Sequence, residues 1–255
     1  MLIAIDIGNT NVVIGIYREK DLVAHWRLSS QTARTSDECW ILLSSLLKSN
    51  SIEMEQIQGG IISSVVPNLT STFILVLEDY FRLSPIIVDS NLKLDLKILY
   101  EDPRAVGADR ICNAVAGFHF FGGPLVILDF GTATTFDVVS ATNEYLGGII
   151  APGIELTASV LHQRAARLPK VELKFPASVI GTTTESSIQS GLMFGTVELI
   201  NGLIDRIEQQ IGHTVKTVAT GGLAKVVSPY TNKIERIEPF LTLDGLRLIY
   251  EQVFR

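Results

Sequence analysis

Two stretches of the chain share one pattern of apolar and polar positions. Leu2 to Tyr17 (LIAIDIGNTNVVIGIY) and Leu125 to Ser140 (LVILDFGTATTFDVVS) each run an apolar segment into an acid, pass a glycine-led polar turn, and return in β-favouring residues. Short apolar runs bounded by such turns predict strand, tight turn and strand. Ile5-Asp6-Ile7-Gly8 and Leu128-Asp129-Phe130-Gly131 keep a constant offset, so one hairpin occurs in each half of the chain.

The same patterning places the other elements. Asp21 to Ser29 alternates and reads as a third strand of a meander, and Thr35 with Glu38 stands at capping-box spacing ahead of a helix through Trp40 to Leu47. Gly60 to Val66 is a buried strand ending at Pro67, Asn68 to Arg82 a helix, and Pro85 to Val88 a short strand. Lys93 to Ile98 alternates with period two and predicts a half-exposed strand. A helix is expected from Ile111 to about Phe121, a strand over Glu144 to Ile150, and a helix from about Ile154 to Ala165. The longest helical pattern opens at Gly181-Thr182-Thr183-Thr184 and reaches Ile211, with Ile188, Leu192, Leu199, Leu203 and Ile207 recurring on one side. Its Gly191, Gly195 and Gly202 lower helix propensity and are expected to admit another element closely. Lys216 to Ala219 is a strand entering Thr220-Gly221-Gly222, and Leu243 to Phe254 a final helix. The sum is an α/β chain of two lobes, 1–105 and 106–255.

Composition narrows the class. At 255 residues and 47% hydrophobic, the chain can bury a large core. A net charge of -6 with no basic run excludes a stripe that follows a nucleic-acid backbone. Cys39 and Cys112 both fall in apolar helical patterns, which reads as two buried thiols in a reducing compartment, without metal-ligand spacing. Met1 enters the first strand with no basic segment or cleavage site before it. The uncharged stretches Gln56 to Leu77 and Ile111 to Leu128 are interrupted by polar residues and by Gly122-Gly123-Pro124, so no membrane span is expected and a cytoplasmic location is.

The hairpin turns suggest phosphate chemistry. Gly8 and Gly131 let a turn expose its N–H groups, and Asn9, Thr10, Asn11, Thr132, Thr134 and Thr135 add short hydrogen-bonding groups. Asp6 and Asp129 fit beside an anion if a metal lies between, since Mg²⁺ takes carboxylate, water and phosphate oxygens together. The structural alternative is a glycine hairpin whose acids cap nearby N–H groups. Two copies favour a nucleotide cleft between duplicated lobes. Ser63-Ser64 could meet a ligand or satisfy the backbone of its own strand end. Gly107-Ala108-Asp109-Arg110 reads either as a helix start, with Asp109 complementing the dipole, or as a base for an acceptor hydroxyl beside a guanidinium for an acidic substrate. There is no GxxxxGK[ST] loop.

DIGNTN at Asp6, SSVVP at Ser63, GADR at Gly107, DFGTATTFD at Asp129, GGIIAPG at Gly147, GTTT at Gly181, QSG at Gln189, TGG at Thr220 and DGL at Asp244, in that order, resemble the type III pantothenate kinases. The resemblance implies two ribonuclease H-like lobes of the actin, hexokinase and Hsp70-like superfamily. It implies transfer of the γ-phosphoryl of ATP to pantothenate, the first step of coenzyme A synthesis, with Mg²⁺ and a monovalent cation, K⁺ or NH₄⁺. By similarity Asp6, Ile7, Gly8, Asn9, Thr10, Asn11, Val12, Val13 and Thr132 bind ATP, Asp6 through water on the metal. Asp129 matches the monovalent-cation ligand. Tyr100, Gly107, Ala108, Asp109, Arg110 and Thr184 match pantothenate contacts, Asp109 being the base. A homodimer is implied, with Thr184 serving the partner's site. A non-enzymatic actin-like nucleotide-binding or regulatory accessory protein is the alternative.

Overall fold

The computed structural model describes residues 1–30, 34–165 and 167–254. They form two compact units, Met1–His119 with Phe240–Arg255, and Phe120–Pro239.

In the first unit, β1 (Leu2–Ile7) lies antiparallel to β2 (Asn11–Arg18) and β2 antiparallel to β3 (Asp21–Ser29), while β4 (Gly59–Ser64) and β5 (Ile86–Ile87) extend the other side in parallel. The strand order is β3-β2-β1-β4-β5. Period two sorts the side chains of β1. Ile3, Ile5 and Ile7 enter a core with Leu43 and Leu47 of α1 (Ser36–Ser49) and Phe73, Val76 and Leu77 of α2 (Pro67–Asp79). Helix α1 begins with the expected capping box, Thr35 Oγ1 accepting from the Glu38 amide and the Glu38 carboxylate accepting from the Thr35 amide.

The alternation at Lys93 to Ile98 yields only a two-residue strand, β6 (Lys97–Ile98). Before it, the Asp95 amide donates to the side chain of Gln252, 3.1 Å away. Helix α3 (Ala108–Phe121) follows.

The second unit repeats the topology. Strand β7 (Leu125–Phe130) pairs antiparallel with β8 (Ala133–Val139), and β8 with β9 (Glu144–Pro152). On the other side of β7 lie β10 (Lys216–Gly221) and β11 (Arg236–Ile237), both parallel. The order β9-β8-β7-β10-β11 is that of the first sheet. Val126, Leu128 and Phe130 take the core-facing places of Ile3, Ile5 and Ile7. Helices α4 (Ile154–Arg164), α5 (Thr184–Ile211) and α6 (Ala224–Val227) complete the unit.

Helix α3 as far as His119 and α7 (Leu241–Val253) belong to the unit of the first sheet, and α7 packs on the face of that sheet away from α1 and α2. Its Leu243 lies against Gly15 and its Tyr250 hydroxyl against Gly59, at positions where a Cβ would collide. On α5 the buried seam runs through Met193, Val197, Ile200, Ile204 and Ile207, while Leu199 is exposed. Several stripes along this helix have helical spacing, and the sheet beneath selects one. A Cβ added at Gly191, Gly195 or Gly202 would meet nothing within 4 Å among the described residues, so no described element approaches these glycines closely.

Because Gly202 faces open space within a helix, Gly202→Ala is expected to stabilise the protein by about 0.5–1 kcal/mol, through lower backbone entropy of the unfolded chain. Urea unfolding midpoints at a constant denaturant slope measure this.

Candidate active site

In the first unit the site is built from β1, β4 and the start of α3. The parallel register sets Asp6 opposite Ser63. Both side chains point away from the α1/α2 core, as period two requires. Ser63 is fully buried, and its hydroxyl donates to Asp6 Oδ1 over 3.0 Å. The two serines therefore divide the roles left open by the sequence. Ser63 holds the strand-end acid, whereas Ser64 serves the backbone, its Oγ accepting from the Val66 amide at 3.0 Å and from the Thr70 hydroxyl at 2.6 Å.

Gly107 and Asp109 are interlocked. The Gly107 carbonyl accepts the Ile111 amide and so opens α3. A Cβ on Gly107 would lie 2.5 Å from Asp109 Oδ1, so the absent side chain is what lets the carboxylate fold over the helix start. There Asp109 Oδ1 accepts the Arg110 amide at 2.8 Å. Burial nevertheless raises the Asp109 carboxyl above the ordinary aspartate value, against the lowering effects of that hydrogen bond and of the Arg110 charge. Arg110 itself is buried on the same turn.

Cys112, one helical turn beyond Asp109, lies between these groups. Its thiol is fully buried, hydrogen-bonds with Ser63, and is pushed well above the usual thiol value by burial first and then by the charges of Asp6 and Asp109. The first unit thus gathers Asp6, Ser63, Asp109 and Cys112. Sequence reasoning placed Cys112 only as a buried thiol, although its i+3 spacing from Asp109 already set both on one helix face. Tyr100 is half-buried in the segment after β6.

In the second unit the duplicated hairpin carries Asp129 and Thr132. Its turn is one residue tighter. Gly131 donates to the Ala133 carbonyl, whereas in the first hairpin Gly8 donates to Asn11. Two glycines hold the backbone close to this turn. A Cβ on Gly153, the residue before α4, would lie 2.4 Å from the Thr132 carbonyl, and one on Gly221 would lie 2.6 Å from the Phe130 carbonyl and 2.7 Å from Asp129 Oδ1. Gly221 also has φ +89°, a conformation that favours glycine. Register again sets a hydroxyl residue, the buried Thr220, opposite the strand-end acid, as Ser63 stands opposite Asp6. Thr184 is the exposed first residue of α5, after the cap residue Thr183.

Among the described residues no group of three His, Cys, Asp or Glu side chains could hold a metal by itself. A single strand-end carboxylate among short hydroxyls does suit Mg²⁺, which keeps several waters and takes one or two carboxylates with phosphate oxygens. Carbonyl and carboxylate oxygens drawn together at Phe130 and Asp129 are likewise donors of the kind a hard monovalent cation accepts. Among the described residues no helix is long and apolar enough to cross a membrane.

A carboxyl raised by burial contributes stability below its unfolded value and loses that contribution as pH rises through the folded one. Asp109→Asn is therefore expected to flatten this part of the stability profile, losing less than the parent chain as pH increases across that window. Thermal melts of both chains over a pH series provide the comparison.

Three solved structures share the fold over nearly the whole chain. A Campylobacter jejuni protein described as a candidate transcriptional activator of the Baf family superposes with a TM-score of 0.62 at 18% identity, covering 98% of each chain. A Sinorhizobium meliloti protein described as a candidate 2-dehydro-3-deoxygalactonokinase gives 0.58 at 12%, covering 100% of this chain and 97% of that one. Component A of (R)-2-hydroxyglutaryl-CoA dehydratase from Acidaminococcus fermentans gives 0.53 at 15%, covering 100% and 99%. At such identities the likeness is one of fold alone. The family model for type III pantothenate kinase matches residues 2–206, a stretch that takes in Asp6, Ser63, Asp109, Asp129 and both hairpin turns. On that match the chain belongs to the type III pantothenate kinase family.

Proposed function

We propose that the chain phosphorylates the primary hydroxyl of pantothenate with ATP, giving 4′-phosphopantothenate and ADP. The observation that carries this reading is the gathering of Asp6, held by Ser63, with the half-buried carboxylate of Asp109 in one unit of a chain matched by the family model. Phosphoryl transfer asks the protein mainly for positioning and for stabilisation of spread negative charge. Asp6 to Val13 and Thr132 are assigned to ATP, their turn amides and hydroxyls replacing a P-loop lysine. Asp6 would hold Mg²⁺ through water, and Asp129 the monovalent cation. These ions supply charge neutralisation to the phosphates when bound.

Asp109 takes the proton of the attacking hydroxyl, a contribution of about 10²–10⁴ in rate. Tyr100, Gly107, Ala108 and Arg110 are assigned to pantothenate, with Arg110 offering its guanidinium to the carboxylate. Thr184 is assigned to the pantothenate site of a partner copy. A homodimer is supported by exposed apolar side chains of the second unit, Ile150, Leu156, Val160, Val179 and Ile180, the last 81% exposed. The absence of a membrane-crossing helix among the described residues is compatible with a cytoplasmic setting.

ADP release is expected to depend on pantothenate and to be faster in potassium than in sodium buffer. A nucleotide-driven binding or regulatory protein would instead turn over ATP at the same rate with or without the acceptor. Since only the ionised Asp109 accepts a proton and burial favours its neutral form, the acidic limb of kcat/KM should stand above the ordinary aspartate value. Asp109→Asn should remove that limb together with about two to four decades of turnover. Parental turnover in that variant would overturn the assignment of the base. For assembly, Ile180→Glu is expected to shift sedimentation from dimer to monomer.

A further inference from the structure

Helix α7 lies beyond the stretch matched by the family model and supplies none of the groups assigned to ATP or pantothenate. It nevertheless bears on both elements that carry the site of the first unit. Asp6 belongs to a strand, fixed by its ladder and by Ser63. Asp109 belongs to α3, which is no part of that ladder, so its distance from Asp6 depends on the Cys112–Ser63 hydrogen bond and on what wedges α3 against the sheet.

The wedge is α7, and its two contact stripes follow helical spacing. Toward the sheet, Leu243 fills the space above Gly15 on β2 and the Tyr250 hydroxyl that above Gly59 on β4. Between them Asp244 Oδ1 accepts the hydroxyl of the fully buried Tyr17 at 2.9 Å. Toward α3, Gly245 meets the backbone of Cys112 so closely that a Cβ would lie 2.1 Å from its carbonyl oxygen and 2.5 Å from its carbonyl carbon. One turn earlier the Thr242 hydroxyl donates to Asn113 Oδ1 at 2.8 Å, and Asn113 is buried. Both contacts fall on the turn of α3 next to Asp109, and a rigid helix passes any displacement there to the carboxylate.

We propose that α7 sets the separation of Asp109 from Asp6, with Gly245 and Thr242 as positioning residues for phosphoryl transfer. This rests on the reading of Asp109 as the base. A base must stand within hydrogen-bond reach of its proton, and about 1 Å of misplacement can cost about 10²-fold in rate. A methyl group at 245 cannot be accommodated against a backbone carbonyl unless the two helices part.

The test compares Gly245→Ala, Thr242→Val, Thr242→Ser and Asp109→Asn with the parent, measuring kcat, KM for ATP and pantothenate, the pH profile and Tm. Gly245→Ala should lower kcat by about 10- to 100-fold with KM for ATP within about twofold, since the β1–β2 turn is untouched. Thr242→Val, which keeps the shape but removes the donor, should lower kcat severalfold and move the acidic limb, while Thr242→Ser keeps parental values. If Gly245→Ala does not fold, the Val and Ser pair carries the test. A lower Tm with parental kcat and acidic limb in Thr242→Val would reduce α7 to a structural role and overturn the inference, provided Asp109→Asn is inactive. Parental turnover in Asp109→Asn would instead remove the base reading and this inference with it.

Discussion

A carboxylate at the end of a strand buried on both faces is the constraint from which the site of the first unit follows. Strand β1 gives Ile3, Ile5 and Ile7 to one core, and its other face is covered by α7. Asp6 points to that second face, where an acid without partners would be costly. The Ser63 hydroxyl, brought alongside by the parallel register of β1 and β4, offsets part of that cost and also fixes the direction of the carboxylate. Cys112 then closes the space beneath with a thiol that burial and two acids keep protonated. Oriented through a neutral hydroxyl, the Asp6 carboxylate suits a ligand that brings its own metal.

The second unit meets the same constraint by different means. Asp129 has the place of Asp6 and Thr220 that of Ser63 in the register, but the turn is tighter and two glycines bring backbone carbonyls close to it. One hairpin is therefore braced by side chains, and the other by close backbone approach. The two units share one scaffold, and a few residues at each turn distinguish them.

Asp109, proposed above as the base, shows what a helix start does to a carboxyl group. The amide of Arg110 stabilises its charged form while burial opposes it, and the balance leaves the carboxyl raised. A base with such a value binds a proton more readily than an exposed aspartate would, while the helix start offsets part of the desolvation that works against its ionised form. Gly107 is the local condition for this arrangement, since any side chain there would displace the carboxylate.

Much of this was legible in the sequence because it depends on local pattern. The two hairpins, the capping box at Thr35, the start of α3 at Gly107 to Arg110 and the polar turns follow from period, glycine and capping chemistry over a few residues, and the order of motifs carried the family. What the sequence left open were relations between distant segments. That Ser63 rather than Ser64 meets Asp6 depends on the register of β1 with β4. That Met193 and Ile200 are buried while Leu199 is exposed depends on which sheet residues lie under α5. That Lys93 to Ile98 forms only two residues of strand depends on which distant segments lie beside it. The return of α7 to the first sheet, and with it the division of the units, could not be read from its own amphipathic pattern. That pattern states that one face must be buried, while only the tertiary structure, by matching Leu243 and Tyr250 to glycines on β2 and β4, decides against what.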